Sequence, residues 1–189
     1  MRTTSGAFAI LFVTAMGLSA ETRAAGVVNG GFETGDFTGW AQGGDTIYSS
    51  VVDSSFLPVH GGDYAAAFGP NDIGTLSQTI DVTAGTAYRL SFWLMNLNDG
   101  SPIDFSVAFG ANGFSLPSDP PASSYQQLTV DTIAAGDTLT LTFTFRNVPA
   151  FWLLDDVEVK ATPTPLPAAA FLAAPALGVL AKSRRRAPA

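Results

Sequence analysis

The chain has 189 residues, and nine Lys and Arg against sixteen Asp and Glu leave it at −7. Residues 26–160 hold fifteen of those acids and only Arg89, Arg146 and Lys160 as bases, a formal −12. So acidic a middle excludes nucleic acid or an anionic membrane held by bulk charge. The absence of cysteine excludes disulfides, so stability has to come from packing, or from packing and a metal.

Residues 1–25 read as a secretory signal peptide. Arg2 supplies the charged start, Ala7–Val13 the apolar run, and small residues follow, with cleavage after Ala20, Ala24 or Ala25. Next comes NGGFETGDFTGW, residues 29–40, rich in glycine, aromatic and acidic residues. Phe32 and Trp40 are expected to fill one end of a β-domain, with the glycines turning the chain at positive φ.

The middle then reads as strands. Expected runs are 46–53, 64–68, 75–82, 87–96, 102–109, 124–131, 137–146 and 151–159, broken by Gly, Pro, Asn and Asp. The clearest is DTLTLTFTFR, where Leu139, Leu141, Phe143 and Phe145 alternate with threonines, the period of a strand with one buried face. Residues 87–96 are apolar at both parities and are expected to form a central strand covered on both sides. Gly69–Asp72 and Gly110–Gly113 read as turns. No amphipathic helix stands out. Many short strands predict an all-β sandwich or barrel of about 135 residues, enough for its own core.

The order of short motifs adds a resemblance. Val27-Val28-Asn29-Gly30-Gly31-Phe32-Glu33 with Gly39-Trp40 comes first, then His60-Gly61-Gly62-Asp63-Tyr64-Ala65. Leu76-Ser77-Gln78 leads to Ala84–Trp93, and Leu153-Leu154-Asp155-Asp156-Val157-Glu158-Val159 closes the series. The series resembles the CenC-like carbohydrate-binding modules within the galactose-binding-like sandwiches. That resemblance implies an antiparallel two-sheet jelly-roll β-sandwich of eight or nine strands. It also implies a structural calcium between the opening stretch and the last strand, with Glu33, Asp155 and Asp156 as its carboxylates. Carbonyls near Gly31 and in the 60–63 turn would complete a hard-oxygen shell. The alternative is that these acids only cap turns.

A sugar ring stacks its C–H face on an exposed aromatic while polar groups fix its hydroxyls. Candidates for that role are Tyr48, Trp93, Tyr125 and Trp152, with Phe56 and Tyr64 behind them. Asp104, Asn96, Asn98 and Gln127 are the candidate polar partners. Tyr64, Trp93 and Trp152 sit in strand-like runs that suit core positions better than a binding face.

The C-terminal segment, 161–189, starts with a Pro-rich hinge at Pro163, Pro165 and Pro167, continues apolar from Leu166 to Ala181, and ends in Lys182 and Arg184–Arg186. A helix over the apolar part would reach about 24 Å against a hydrocarbon core of about 30 Å, and the basic cluster would stay cytoplasmic. Thr164-Pro165-Leu166-Pro167-Ala168-Ala169, the apolar helix and the arginines together resemble the VPLPA-type variant of PEP-CTERM sorting tails. That resemblance implies an exosortase-type membrane protease as partner, transient anchoring in the inner membrane, and release to the cell envelope or outside.

Catalytic signatures are missing. His60 is the lone histidine and reads as a turn residue; no nucleophile elbow, zincin motif or cysteine nucleophile is present. A glycosidase pair among fifteen acids arises by chance too easily to count. The expectation is an exported, non-catalytic protein that binds an extracellular polysaccharide. The alternative is a structural or adhesive matrix protein without a sugar site, its aromatics buried.

Overall fold

The computed structural model describes residues 26–162. The signal-peptide and sorting-tail expectations lie outside the described residues. Ten strands form two antiparallel five-stranded sheets, and among the described residues there is no helix.

The first sheet runs β1 (Ala41–Gly44), β4 (Gly74–Asp81), β9 (Thr138–Asn147), β6 (Ile103–Phe109) and β7 (Asn112–Ser115). The second runs β2 (Ser49–Asp53), β3 (Tyr64–Phe68), β10 (Trp152–Ala161), β5 (Ala87–Asn96) and β8 (Gln126–Ile133). The eight expected runs all appear as strands, with ends shifted by up to three residues. The expected eight or nine strands become ten because β1 and β7 are short and glycine-containing. Asn112 and Gly113, expected in a turn, begin β7 and pair with Phe109 and Ala108 of β6.

Alternation builds the core. Leu139, Leu141, Phe143 and Phe145 of β9 are buried, while their threonine neighbours face outward from the first sheet. Tyr88, Leu90, Phe92 and Leu94 of β5 meet them from the second sheet. Each such side chain stabilises the fold by about 1.5–3 kcal/mol on burial. The expectation that β5 is central and covered twice is corrected. β10 takes the centre of that sheet, and Arg89, Ser91, Trp93 and Met95 on the other face of β5 are exposed or half-buried. Of these four, Met95 joins a small cluster in which Leu57 and Met95 pack on Val52, Ala67 and Leu153.

Phe32 and Trp40 do close one end: both are buried and their rings stack at 5.7 Å. The expected role of the glycines holds for Gly35 and Gly39 and fails for Gly30 and Gly31. Positive φ in this stretch falls on Asn29, Phe32, Gly35 and Gly39, not on Gly30 or Gly31. Gly30 is needed for close approach, because Val157 N–H donates to its carbonyl and a Cβ there would collide with the Val157 carbonyl.

Candidate functional site

The site grows from an irregularity in β10. Its register with β5 slips between Asp155 and Glu158, and Asp156 adopts φ 47°. Leu154 and Val157 both point into the core, so two consecutive residues, Asp155 and Asp156, are turned to the outer face. This is the action of a β-bulge, which re-aims a side chain by one extra residue. The loop 54–63 then folds back over that face.

Asp155 is fully buried and holds the loop. Its Oδ2 accepts the amides of His60 at 2.9 Å and Gly61 at 3.0 Å, and its Oδ1 accepts the Asp156 amide at 2.7 Å. Burial nonetheless pushes this carboxyl up to about 6, against those three amides and with help from the Asp156 charge. Glu33 performs the same task one step along, its two oxygens accepting the amides of Asp63 and Tyr64. Gly61 permits the contact, since a Cβ there would lie 2.7 Å from Asp156 Oδ2.

The expected calcium carboxylates are therefore brought together, but on an existing set of donors. Five of the six oxygens of Glu33, Asp155 and Asp156 already accept hydrogen bonds, and among the described residues no group of three acidic or histidine side chains is spaced around a common metal point. As they stand, these residues fasten a turn.

His60, read from sequence as a turn residue, becomes a packing residue of the site. Its Nδ1 donates to Asp156 Oδ2 at 2.6 Å, and its ring stacks on Trp93 with centroids 3.8 Å apart and planes 16° apart. Tyr125 meets the imidazole edge-on at 5.4 Å, and its hydroxyl donates to the Pro58 carbonyl at 3.0 Å. Burial first, then Asp155 and Asp156, raises the Tyr125 phenol above its ordinary range. No local pattern carries this stack, which depends on a loop crossing four strands. The one available signal was that Trp93 has the opposite parity to the core residues Phe92 and Leu94.

A groove of about 460 Å³ opens beside Trp93, lined also by Gly31, Ser91, Gln127, Asp156 and Glu158. Gln127 pairs directly across from Trp93, and Ser91 lies two residues back along β5. Tyr125, just before β8, lies on the far side of Trp93 from Ser91, so His60 stacks on the indole toward Tyr125 while the groove is lined toward Ser91 and Gln127. The result is an aromatic wall backed by a stacked imidazole, with amide, hydroxyl and carboxylate groups around it. That arrangement can hold a flat C–H face and hydrogen-bond its substituents.

The remaining candidates separate. Trp152 is corrected: it is 2% exposed in the core, and its indole N–H donates to the carbonyls of Asp104 and Arg146. At its parity it points inward with Leu154, and it reaches the surface only as part of the wall of a small cavity of about 160 Å³ shared with Leu94, Asn96 and Leu128. Asp104 is on the outer face of the other sheet in an ion pair with Arg146 at 2.5 Å. Asn96 is buried and donates to the carbonyls of Pro120 and Pro121. Tyr48 is 62% exposed but lies at the end of the sandwich, away from Trp93, and Phe56 is exposed in the covering loop.

The family model for the carbohydrate binding domain designated CBM_4_9 matches residues 24–148. The chain belongs to this family of carbohydrate binding domains. The matched region of the carbohydrate-binding domain contains Trp93, His60 and Tyr125 but stops before β10 and its two aspartates. No curated protein sequence matches the chain. Among solved structures, TmCBM61 in complex with β-1,4-galactotriose is 23% identical, covering 72% of this chain and 99% of its own, with a TM-score of 0.59. The CBM22-1 xylan-binding domain of Paenibacillus barcinonensis Xyn10C is 15% identical over 77% and 100%, with a TM-score of 0.54. The K1 cleaved adhesin domain of Lys-gingipain from Porphyromonas gingivalis W83 is 16% identical over 76% and 100%, at 0.51. At these identities the likeness establishes the shared β-sandwich.

Proposed function

We propose that the protein binds an extracellular polysaccharide without catalysis, through the groove beside Trp93. The observation that carries this reading is the indole itself. One side is fixed by His60, and the other lines an open groove with Gln127, Ser91 and Asp156 around it. A preorganised ring loses little freedom on binding, which is where sugar stacking gains over a free side chain. The domain is acidic and the groove carries Asp156 and Glu158, which favours neutral sugars over uronates or sulfated chains. Neutral β-linked chains, of the kind named for the galactotriose and xylan modules above, are the first probes.

The same reading puts this binding at the cell envelope or in the matrix outside it, and its support is the likeness of residues 1–25 to a signal peptide and of residues 161–189 to a sorting tail cut by an exosortase-type protease. The alternative, a matrix protein with no sugar site, expects its aromatics buried. Trp152 fits that expectation, and Trp93 does not. Calcium at Glu33, Asp155 and Asp156 is a separate proposal, supported by three carboxylates that no lysine or arginine among the described residues pairs with. It requires Glu33 or Asp156 to turn an oxygen away from its present donor.

The deciding experiment is titration calorimetry of the full chain against a panel of neutral oligosaccharides, repeated with Trp93→Ala. Heat with at least one glycan, lost in the variant while its unfolding transition stays cooperative, is the expected result. Equal binding by the wild type and W93A removes the groove from consideration.

A further inference from the structure

Four strand ends meet at one end of the sandwich: the start of β2 and of β10, and the ends of β3 and β9. They frame a second pocket, of about 270 Å³, lined among others by Tyr48, Gly69, Asn71, Asn147 and Phe151. Two independent features of this pocket point to a ligand. The first is an exposed aromatic rim. Tyr48 is 62% exposed and held at φ 60°, a conformation that is costly for a bulky side chain. Phe151 is half-buried opposite Gly69, where a Cβ would fall 2.8 Å from its ring and 2.6 Å from the Ala150 carbonyl. Any side chain at position 69 would therefore fill the space.

The second feature is an orphaned acceptor. Asn147 is fully buried, and its Oδ1 has no hydrogen-bond partner. Its orientation is fixed by its neighbour. Asn96 Nδ2 donates to two proline carbonyls, so Asn96 Oδ1 must be the atom that receives Asn147 Nδ2 at 2.9 Å. The free oxygen of Asn147 is left as a buried acceptor awaiting a donor.

We propose that this end pocket is a second glycan site, taking one neutral pyranose ring at the end of a chain. The proposal rests on the reading that the domain binds glycans. The ring's C–H face would lie on Tyr48, and a hydroxyl would donate to Asn147 Oδ1 once the wall over that closed-off oxygen yields. The pocket falls just under the ~300 Å³ at which drug-sized sites begin, so it admits a ring and not a chain. No charged side chain lines it, and Asp45, which accepts the amides of Asn71 and Asp72, stands beside its rim, so anionic sugars are disfavoured. The groove at Trp93 is open along the sheet and takes interior residues; the end pocket takes a terminus.

The test is calorimetry of the full chain with five neutral trisaccharides: β-1,4-galactotriose, xylotriose, cellotriose, laminaritriose and mannotriose. One of them is expected to bind at two sites per chain. Tyr48→Asn keeps a residue that tolerates positive φ and removes the ring; it is expected to weaken one site by about tenfold or more. Tyr48→Phe keeps both sites, and W93A loses the other. The Tyr48-dependent site should also take the matching monosaccharide within about tenfold of the trisaccharide, since one ring supplies its contacts; a requirement for three rings overturns the single-ring assignment. A single site lost in W93A and unmoved in Y48N overturns the end pocket and leaves the groove. A single site lost in Y48N and unmoved in W93A does the reverse, and no heat with any of the five overturns both.

Discussion

Replacing His60 by alanine separates the two sides of Trp93. The imidazole stacks on the indole at 3.8 Å, touches Tyr125 edge-on and donates to Asp156 at 2.6 Å. An aromatic pair contributes about 0.5–1.5 kcal/mol beyond its area, and one hydrogen bond a similar amount. His60→Ala should therefore cost about 1–3 kcal/mol. At about 4 °C per kcal/mol for a domain of this size, the melting temperature should fall by about 4–12 °C. The variant should still bind glycan below its new transition, because the groove lies on the Ser91 side of the indole and the histidine supports the far side. Scanning calorimetry gives the first quantity, and titration calorimetry at 15 °C the second. Loss of binding in a folded His60→Ala protein would refute the reasoning, since it would put the sugar on the face that the histidine now covers.

Other predictions follow from single contacts. Phe32→Ala removes a fully buried ring stacked on Trp40 and should cost about 3–5 kcal/mol by urea unfolding, the largest effect of any residue in the opening stretch. Thermal unfolding in calcium and in EGTA should give a higher melting temperature in calcium if Glu33 and Asp156 take up the ion; coincident curves would leave the cluster as a hydrogen-bonded turn. Asp119 is held below the ordinary carboxylate range by the Ile103 amide and then the Ser101 hydroxyl. Its folded-state value is depressed, so its contribution is present above about pH 4 and lost as pH falls through the folded value. Asp119→Asn should flatten the acid side of the stability–pH curve, measured by urea midpoints from pH 2 to 6.

The sandwich was legible where side chains alternate over a long run. Residues 137–146 announce β9 because threonine and large apolar residues trade places without a break. β1 and β7 were not legible, since AQGG and NGFS carry no apolar period and pair only because longer neighbours offer an edge. Trp152 shows how parity fails locally. Trp152, Leu153, Leu154 and Asp155 are all buried, so the start of β10 has no polar face to reveal which way the tryptophan points. The neighbourhood of Glu33, Asp155 and Asp156 came from the resemblance to carbohydrate-binding modules, not from any spacing in the chain. Their amide partners come from the 60–64 turn, which is 90 or more residues from the aspartates, and no spacing encodes that contact. The His60–Trp93 stack was hidden for the same reason.

The placement of β10 bears on how the protein comes to be folded at all. The middle strand of the second sheet is the last strand among the described residues, hydrogen-bonded to β3 on one side and β5 on the other. Until residues 152–161 arrive, β3 and β5 have no partner between them, and the Val157 amide that fastens Gly30 does not exist. A chain stopped at residue 148, where the family match ends, lacks the keystone of one sheet and should not fold. Nearly all of the domain must be synthesised before its sheets can close, and contacts so distant in sequence form slowly. A domain built this way sets only after its last strand has been made.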